Sequence, residues 1–464
     1  MTAKPKHRLT NPATLGTEKI TTLLSYYALP AVVAMITASL YNIVDSIFIG
    51  RGVGPYAIAG LAVALPLMNI STALGTLVGA GASALISIKL GQKDQRDAEK
   101  VLANSVILKI IISISFTILG LVFLKPILRL FGAGPNIMPH AYDYMFILLL
   151  GNIITHLYFG LLAVLRATGY PRMAMFIPMI TVVTNGVLDA LFIFVLNMGI
   201  KGAALATVIA QIVGFIIVVQ HFFNKESSVH FTKEAFVFDL RLSGQMISIG
   251  LPSFLLNLAS SAIVMIINNQ LSRLGTGAIG ELNIGAFGII NRVDSVFLMI
   301  TFGISQGAQT IVGFNYGAKQ YGRVKETVNL SFILATIVVT IGFIIFMLFP
   351  RAVCSIFTHD PVLLDIAAHG LWMSSFSFFT IGIGIIVSMF FQSIGKPKEA
   401  ILISLTRQII LLIPMLYIFP IFWNIDGVWL AMSISDFLSV IIAGVFYLRE
   451  INKFKKLSKP ELSI

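Results

Sequence analysis

Gly81-Ala82 and Gly91-Gln92-Lys93 have close counterparts in Gly307-Ala308 and Gly317-Ala318-Lys319, and each counterpart lies 226 positions after the first copy. A single offset that holds across about ninety residues indicates an internal repeat. The chain is therefore predicted to consist of two related halves. The same offset relates three further features: Phe131 to Phe357, Pro135 to Pro361, and Gly169-Tyr170-Pro171-Arg172 to Gly395-Lys396-Pro397-Lys398.

The composition is that of a membrane protein. Of the 464 residues, 57% are hydrophobic and 11% are charged, whereas soluble domains contain about 25% charged residues. The net charge of +12 does not indicate nucleic-acid binding, because the positive residues lie beside the apolar runs, where they set membrane topology. The single cysteine, Cys354, excludes an internal disulfide. The predicted partner is therefore the lipid bilayer and not nucleic acid.

Twelve apolar runs have the length of membrane-spanning helices. Six lie on each side of a polar stretch at about 224–245, so both halves start on the same side of the membrane, as in secondary transporters with parallel repeats. We predict an all-α integral membrane fold of twelve transmembrane helices in two pseudo-symmetric six-helix bundles, residues 1–228 and 229–464. The runs lie near 23–49, 57–88, 101–124, 141–165, 173–197, 200–223, 246–271, 282–313, 329–349, 364–392, 399–423 and 427–448.

The distribution of lysine and arginine predicts the orientation of these spans. With the amino terminus inside, 23 positive residues lie on the inner side and 6 on the outer side. The positive-inside rule therefore predicts a multi-pass protein of the cytoplasmic (inner) membrane with both termini in the cytoplasm.

Motifs of ATP use and of catalysis are missing from the sequence. There is no GxxxxGK[ST] phosphate loop, which argues against ATP as the energy source. The seven histidines form no HExxH or comparable metal spacing, and no serine or cysteine nucleophile has a recognisable partner. We therefore expect neither an enzyme nor a bound cofactor, and the sequence contains no certain metal site.

Polar residues inside three of the spans are predicted to form one site. Asp45 lies in span 1, where a carboxylate at the helix centre costs roughly 2.5–3.5 kcal/mol on insertion scales. Asn185 and Asp189 are four residues apart in span 5, so they share a helix face, and Thr207 lies in span 6. At 1.5 Å per residue, the two acids and the threonine lie roughly 7–12 Å below the outer boundary.

The chemistry of this set suits a coupling cation. Two carboxyl groups in a low dielectric cannot both ionise cheaply, so the pair can hold a proton and lose it when its surroundings change. The carboxylate oxygens, together with the Asn185 carbonyl and the Thr207 hydroxyl, also suit Na⁺. Pro30 in span 1 removes a helix hydrogen bond and permits a bend, so span 1 is a candidate conformational switch.

Short motifs in both halves carry a family resemblance: Ala28-Leu29-Pro30, Asn42-Ile43-Val44-Asp45 with Phe48-Ile49-Gly50, Gly91-Gln92, Asn185 with Asp189, Gly202-Ala203-Ala204-Leu205-Ala206-Thr207 and Gly250-Leu251-Pro252. With these motifs the chain resembles the multidrug and toxic compound extrusion (MATE) transporters over nearly its whole length. The resemblance implies the MATE fold, cation-coupled efflux and an amino-terminal ion site formed by Asp45, Asn185, Asp189 and Thr207.

The pattern of acids favours one branch of that family. Some branches use a glutamate in span 7 with an aspartate in span 10. Here span 7 has no acid, and span 10 has none beyond Asp365 at its mouth. The resemblance is therefore to the DinF-like and MepA-like branch, which implies no cation site in the carboxy-terminal half.

Five further polar residues are candidates for substrate binding. Gln211 lies one turn from Thr207, but a helix-helix hydrogen bond is an equal alternative. Asp294 could face a cationic substrate or pair with Arg292, and Arg407 could pair with Asp436 or touch substrate. Abundant methionine and phenylalanine would suit flat apolar cations, but in a membrane protein such residues mostly face lipid or the core. The five candidates are Tyr41, Asn42, Asn69, Gln211 and Asp294.

The sequence therefore predicts an antiporter that uses H⁺ or Na⁺ to export structurally diverse, mostly cationic lipophilic drugs. The alternative is a flippase for a lipid-linked glycan or another amphiphile of the wider superfamily, but twelve spans and few positive charges inside them favour drug export. The repeat and the paired acids argue against a channel or receptor. We expect a monomer with small drug-like substrates and no cofactor other than the coupling ion.

Overall fold

The computed structural model describes residues 11–225, 227–275 and 278–457, without the side chains of residues 41–43, 46, 55, 278 and 457. This part of the chain is almost entirely helical, and it includes two π-helical turns, Ala190–Val195 and Thr406–Leu412. Its α-helices are α1 (Ile20–Gly52), α2 (Pro55–Gly91), α3 (Gln95–Val122), α4 (Leu124–Leu130), α5 (Met138–Ala167), α6 (Pro171–Asp189), α7 (Gly199–Phe223), α8 (Leu240–Leu274), α9 (Ala278–Gly317), α10 (Tyr321–Leu348), α11 (Pro350–Ser355), α12 (Pro361–Ser374), α13 (Ile381–Ser393), α14 (Pro397–Leu405) and α15 (Ile413–Leu457).

The helices are long enough for the predicted spans. Ten described helical segments can cross a membrane, and the bent pair Pro361–Ser374 and Phe378–Ser393 forms an eleventh. The segment Pro397–Lys456 has 60 residues, which is about three times the thickness of a hydrocarbon core. Asn424 interrupts this segment with φ 51° and ψ −129°, so the segment has room for two of the predicted spans. The structure confirms the all-α membrane fold and accommodates twelve spans.

Each of the two compact units has a central helix. In the first unit α5 packs against α2, α3, α6 and α7, and two apolar clusters, one around Tyr144 and one around Leu162, fill the spaces between them. In the second unit α9 packs against α10, α12 and α13, and the apolar cluster there encloses the fully buried Trp429.

Two helices are divided between the compact units. The first unit contains Val33–Phe254, and the second contains Lys19–Val32 and the chain from Leu255 onward. The first turns of α1 thus belong with the later helices, and the first turns of α8 belong with the earlier ones. The compact units therefore differ in composition from the two predicted repeat halves. In both helices a proline, Pro30 or Pro252, lies two residues before the division.

Glycines allow the divided helices α1 and α8 to pack closely against other helices of each unit. A Cβ on Gly81 of α2 would lie 1.9 Å from the carbonyl oxygen of Met246 on α8. A Cβ on Gly250 of α8 would lie 1.7 Å from the carbonyl oxygen of Leu77 on α2. Gly307 of α9, the repeat partner of Gly81, faces the backbone of α1 in the same way. The repeated glycines Gly81 and Gly307 thus mark one close approach of helix backbones in each unit.

Ion pairs join residues that the topology places on the same side. Lys201 and Asp143 lie at predicted outer ends, and their charged atoms are 3.3 Å apart. Lys396 and Glu450 lie at predicted inner ends and are 2.5 Å apart. Each pair joins two spans that are two apart in the chain and run in the same direction, which agrees with the predicted alternation.

Replacement of Gly81 by alanine tests the close backbone contact. The added methyl group would meet backbone and not a movable side chain, so we expect overpacking to destabilise the fold by about 1–3 kcal/mol. Gly244→Ala on α8 is the matched control, because no heavy atom of another segment lies within 4 Å of its Cβ position and alanine favours the helix. Thermal unfolding in detergent should have a lower midpoint for Gly81→Ala alone, and equal midpoints would contradict this packing.

Single cysteines at positions 19 and 201 test the orientation. Lys19 and Lys201 are exposed, and the topology predicts them on the inner and outer sides. The native Cys354 is buried, and burial raises the pKa of its thiol to about 11, so the unmodified protein should give no background with a membrane-impermeant maleimide. We expect labelling of Lys201→Cys and not of Lys19→Cys in intact cells. The opposite pattern would reverse the topology.

Candidate functional site

Asp45 is buried in α1 and keeps one carboxylate oxygen without a partner. The residue is 5% exposed. The phenol of Tyr144, on α5, donates a long hydrogen bond of 3.5 Å to its Oδ2, and its Oδ1 has no hydrogen-bond partner among the described residues. One long hydrogen bond does not compensate a carboxylate for the loss of water. The group is therefore suited to binding a proton or a cation.

Asp189 ends α6 and is buried still more completely. It is 0% exposed, and within the described chain neither of its carboxylate oxygens has a hydrogen-bond partner. It lies within electrostatic reach of Asp45, so the two acids form a pair. The π-helical turn Ala190–Val195 begins directly after it, and such turns are frequent at functional sites.

Apolar contacts hold the two acidic segments side by side. The rings of Phe48 on α1 and Phe194 on the π-helical turn have centroids 5.9 Å apart. Gly52, at the end of α1, allows Ile193 to approach so closely that a Cβ at position 52 would lie 2.2 Å from its side chain. The pairing of the acids is thus set by hydrophobic packing about one to two helical turns away from the carboxylates.

Asn185 and Thr207 are buried in the same unit. Asn185 lies one turn before Asp189 on α6, and its Nδ2 has no hydrogen-bond partner in the part of the chain that the structure describes. Thr207 is buried on α7, which packs against α6 and against the π-helical turn. All four predicted ion-site residues are therefore buried in one unit, and their joint coordination of an ion stays a prediction.

Tyr144 is a residue of the site that the sequence analysis missed. It lies six residues after Met138, the start of α5, which places it about 9 Å along that helix. This depth falls within the range derived for Asp45 and Asp189. The apolar run in the sequence begins near 141, three residues before Tyr144, so the same count from the sequence alone gives only about 5 Å and does not single this residue out.

The MatE family model matches residues 30–191 and 244–418, which include both acids and Asn185. The chain belongs to the MATE family. It is therefore a multi-pass membrane transporter and not an enzyme.

MATE relatives match the chain over most of its length. It is 23% identical over 420 residues to the multidrug export protein MepA of Staphylococcus haemolyticus, which covers 90% of this chain and 91% of that protein. It is 25% identical over 433 residues to the FAD transporter of Shewanella oneidensis, which covers 91% and 93%. A crystal structure of MATE in the bent conformation matches with a TM-score of 0.91 and 24% identity, covering 96% of this chain and 99% of that one. The match to this crystal structure shows that the two chains have the same fold.

The carboxy-terminal unit of this MATE protein contains a different set of buried charges. Arg407, on the second π-helical turn, forms an ion pair with Asp436 of α15, which is one of the two alternatives derived from the sequence. Asp294 of α9 interacts electrostatically with both, and its Oδ1 has no hydrogen-bond partner among the described residues. Arg292 is exposed and forms no described ion pair with Asp294. With both acids ionised, the three groups carry one net negative charge.

The other candidate residues of the MATE chain are placed as follows. Gln211 accepts a hydrogen bond from a threonine hydroxyl on α5, which is the predicted helix-helix alternative to substrate binding. Asn69 is exposed on α2. The side chains of Tyr41 and Asn42 lie outside the described residues. Pro30 lies inside α1, which is helical on both sides of it.

Proposed function

We propose that this MATE transporter is an antiporter that couples the export of small lipophilic drug-like molecules, mostly cations, to inward movement of H⁺ or Na⁺. The coupling ion would bind at Asp45 and Asp189, beside Asn185 and Thr207. The protein would act as a monomer in the cytoplasmic membrane with both termini inside. The observation that carries the proposal is the pair of buried acids, three of whose oxygens have no hydrogen-bond partner among the described residues.

A buried acid pair is suited to binding a cation. Removal of each charge from water costs several kcal/mol, and the two like charges repel, so an empty, doubly ionised pair is unfavourable. A proton relieves both effects by neutralising one carboxylate. Na⁺ would relieve them by accepting carboxylate oxygens as ligands, with the Asn185 carbonyl and the Thr207 hydroxyl as further donors.

The gradient of such a cation can supply the energy for export. One elementary charge that moves through 100 mV contributes about 2.3 kcal/mol, which sustains about a fiftyfold gradient of an uncharged substrate. One or two coupling ions per cycle are therefore sufficient for effective efflux.

Helix α1 can transmit the occupancy of the site to the rest of the protein. It contains both Asp45 and Pro30, and a proline inside a helix removes one hydrogen bond and permits a bend. The helix is divided between the compact units two residues after Pro30. Ion binding at Asp45 would therefore change the conformation of α1 at the point where the helix leaves one unit.

The charges of the carboxy-terminal unit favour drug cations over two alternative substrates. The relatives are named as a multidrug export protein and as an FAD transporter. FAD carries two phosphate groups, and a lipid-linked glycan, the alternative derived from the sequence, also carries phosphate. The net negative charge of Asp294, Arg407 and Asp436 would repel these anions and attract lipophilic cations.

Dye efflux under separately imposed H⁺ and Na⁺ gradients tests the coupling site. Liposomes with the purified protein should export a cationic dye in response to at least one gradient. Asp45→Asn and Asp189→Asn should each reduce efflux to the level of protein-free liposomes. Because the acids act as a pair, the double variant should be little worse than either single variant.

Asp143→Asn is the matched control for this experiment, because it removes a partly exposed acid from the same unit and should leave efflux unchanged. Dye binding, measured by fluorescence anisotropy, should survive in all variants, which separates loss of coupling from loss of folding. Efflux by Asp45→Asn near the unmodified rate, at equal reconstitution, would rule out the proposed site.

Asp294→Asn tests the substrate preference. Loss of one negative charge about 10 Å from a bound cation, at an effective dielectric of about 20, should weaken binding of a cationic dye about fifteenfold and leave an uncharged dye nearly unaffected. Half-saturating concentrations for the two dyes provide the comparison, with the exposed Asp365→Asn of the same unit as the control. An equal loss for both dyes would assign Asp294 to structure or coupling instead.

A further inference from the structure

Lys109 is an enclosed lysine in the middle of α3. It is 2% exposed, and its Nζ donates to the carbonyl oxygens of Gly75 on α2, at 2.9 Å, and of His156 on α5, at 3.0 Å. Among the described residues no ion pair includes Lys109. Fully buried lysines almost always have a charged partner, so this one requires an explanation.

Glycines on both neighbouring helices make room for the side chain. A Cβ on Gly160 of α5 would lie 1.9 Å from Lys109 Cε, and a Cβ on Gly79 of α2 would lie 3.6 Å from its Nζ. Any side chain at position 160 would therefore collide with the lysine. The lysine occupies a slot between α2 and α5 that is shaped to its length.

The polar side chains beside this slot are neutral. His156 Nε2 lies 3.1 Å from Ser71 Oγ, and its Nδ1 lies 2.8 Å from Ser113 Oγ. The Ser71 hydroxyl donates to Asn152 Oδ1 at 2.6 Å, so toward His156 it can only accept. In this arrangement Nε2 carries the proton and Nδ1 accepts a hydrogen bond from Ser113, so the contacts fit a fully bonded neutral imidazole. With a neutral imidazole, Lys109 is the one described group of this cluster that can carry a positive charge.

The remaining elements packed against α3 bring no charge to Lys109. Helix α3 contacts α2, α5 and the turn Lys233–Ala235. The chain after this turn meets α3 at Asn104, whose side chain bonds the backbone of Val237 and Asp239. Asn104 lies more than one helical turn before Lys109, so the charged groups of this loop do not reach the slot.

Helix α5 connects this cluster to the acid pair. Tyr144 bonds Asp45, and the His156 carbonyl holds Lys109. The two α5 residues are 12 positions apart, which corresponds to about 18 Å along the helix. At that distance and an effective dielectric of about 20, the interaction of two unit charges changes an ion-binding constant about fivefold.

We propose that Lys109, in its ammonium form, lowers the affinity of the Asp45–Asp189 pair for its coupling ion. The inference deepens the proposed function and rests on it. An acid pair buried in an apolar unit would hold a cation too tightly for release into the cytoplasm. A positive charge in the same unit favours the empty, ionised pair, and the ionised pair favours the ammonium in return. Lys109 touches neither ion nor substrate, so it is a positioning residue that acts through the electric field.

The pH dependence of dye transport in liposomes tests this role. Lys109→Met removes the charge at similar length. Lys109→Gln removes the charge but keeps hydrogen-bond donors for the two carbonyl oxygens, so it still tests the proposal if Lys109→Met does not fold. In both, the pH of half-maximal rate should rise by about 0.7 unit, the fivefold change expected above. If Na⁺ drives transport, the half-saturating Na⁺ concentration should fall about fivefold. Lys398→Met, which removes an exposed positive charge, should shift neither value.

The possible outcomes separate this inference from the proposed function. A reduced rate with an unchanged midpoint in both variants would assign Lys109 to helix packing and overturn the inference, as would a shift in the opposite direction. In either case the proposed function stands if the unmodified protein still responds to a gradient and Asp45→Asn does not. An unmodified protein that ignores both gradients would overturn the proposed function and this inference with it.

Discussion

Polar groups inside a bilayer have no water to bind, and the structure depends on how each of them is satisfied. The backbone groups are satisfied within helices. Lys109 is held by two carbonyl oxygens, and Arg407 is held by Asp436. The pair Asp45 and Asp189 differs, because three of its oxygens have no hydrogen-bond partner among the described residues. An arrangement that leaves acids unsatisfied is unfavourable by itself and becomes favourable when a proton or cation binds.

The two repeat halves share a helical scaffold but not a charge pattern. A π-helical turn follows Asp189 in the first half, and another contains Arg407 in the second. In the second half the arginine neutralises Asp436, whereas among the described residues Asp45 and Asp189 of the first half share a single long hydrogen bond, from Tyr144 to Asp45. Helix packing constrains many contacts at once and therefore stays similar in both halves. A single charged residue has few neighbours, so its identity can differ between the two halves. One helical scaffold can therefore contain two different groups of buried charges.

Two helices connect the parts of this arrangement. Helix α5 contacts the acid pair through Tyr144 and the slot of Lys109 through the carbonyl of His156. Helix α1 carries Asp45 and is divided between the compact units just after Pro30. Both helices are continuous, so a change in charge at Asp45 can act on distant residues in two ways. Helix α5 holds the acid pair and Lys109 at a constant separation, whereas α1 can bend at Pro30. The first suits a fixed electrostatic influence, and the second suits a conformational change.

The sequence by itself determined the helical membrane fold and the repeat, and it predicted the depth of the acids, because these depend on local hydropathy, a constant offset and the rise per residue of a helix. Only the tertiary structure decided which segments form each compact unit, since that depends on Gly81 and Gly307 meeting helices distant in the chain. It also decided that Tyr144 bonds Asp45, that Arg407 pairs with Asp436 and that Lys109 lies in a glycine slot. These partners depend on the rotation and tilt of packed helices, which the helical period alone leaves open.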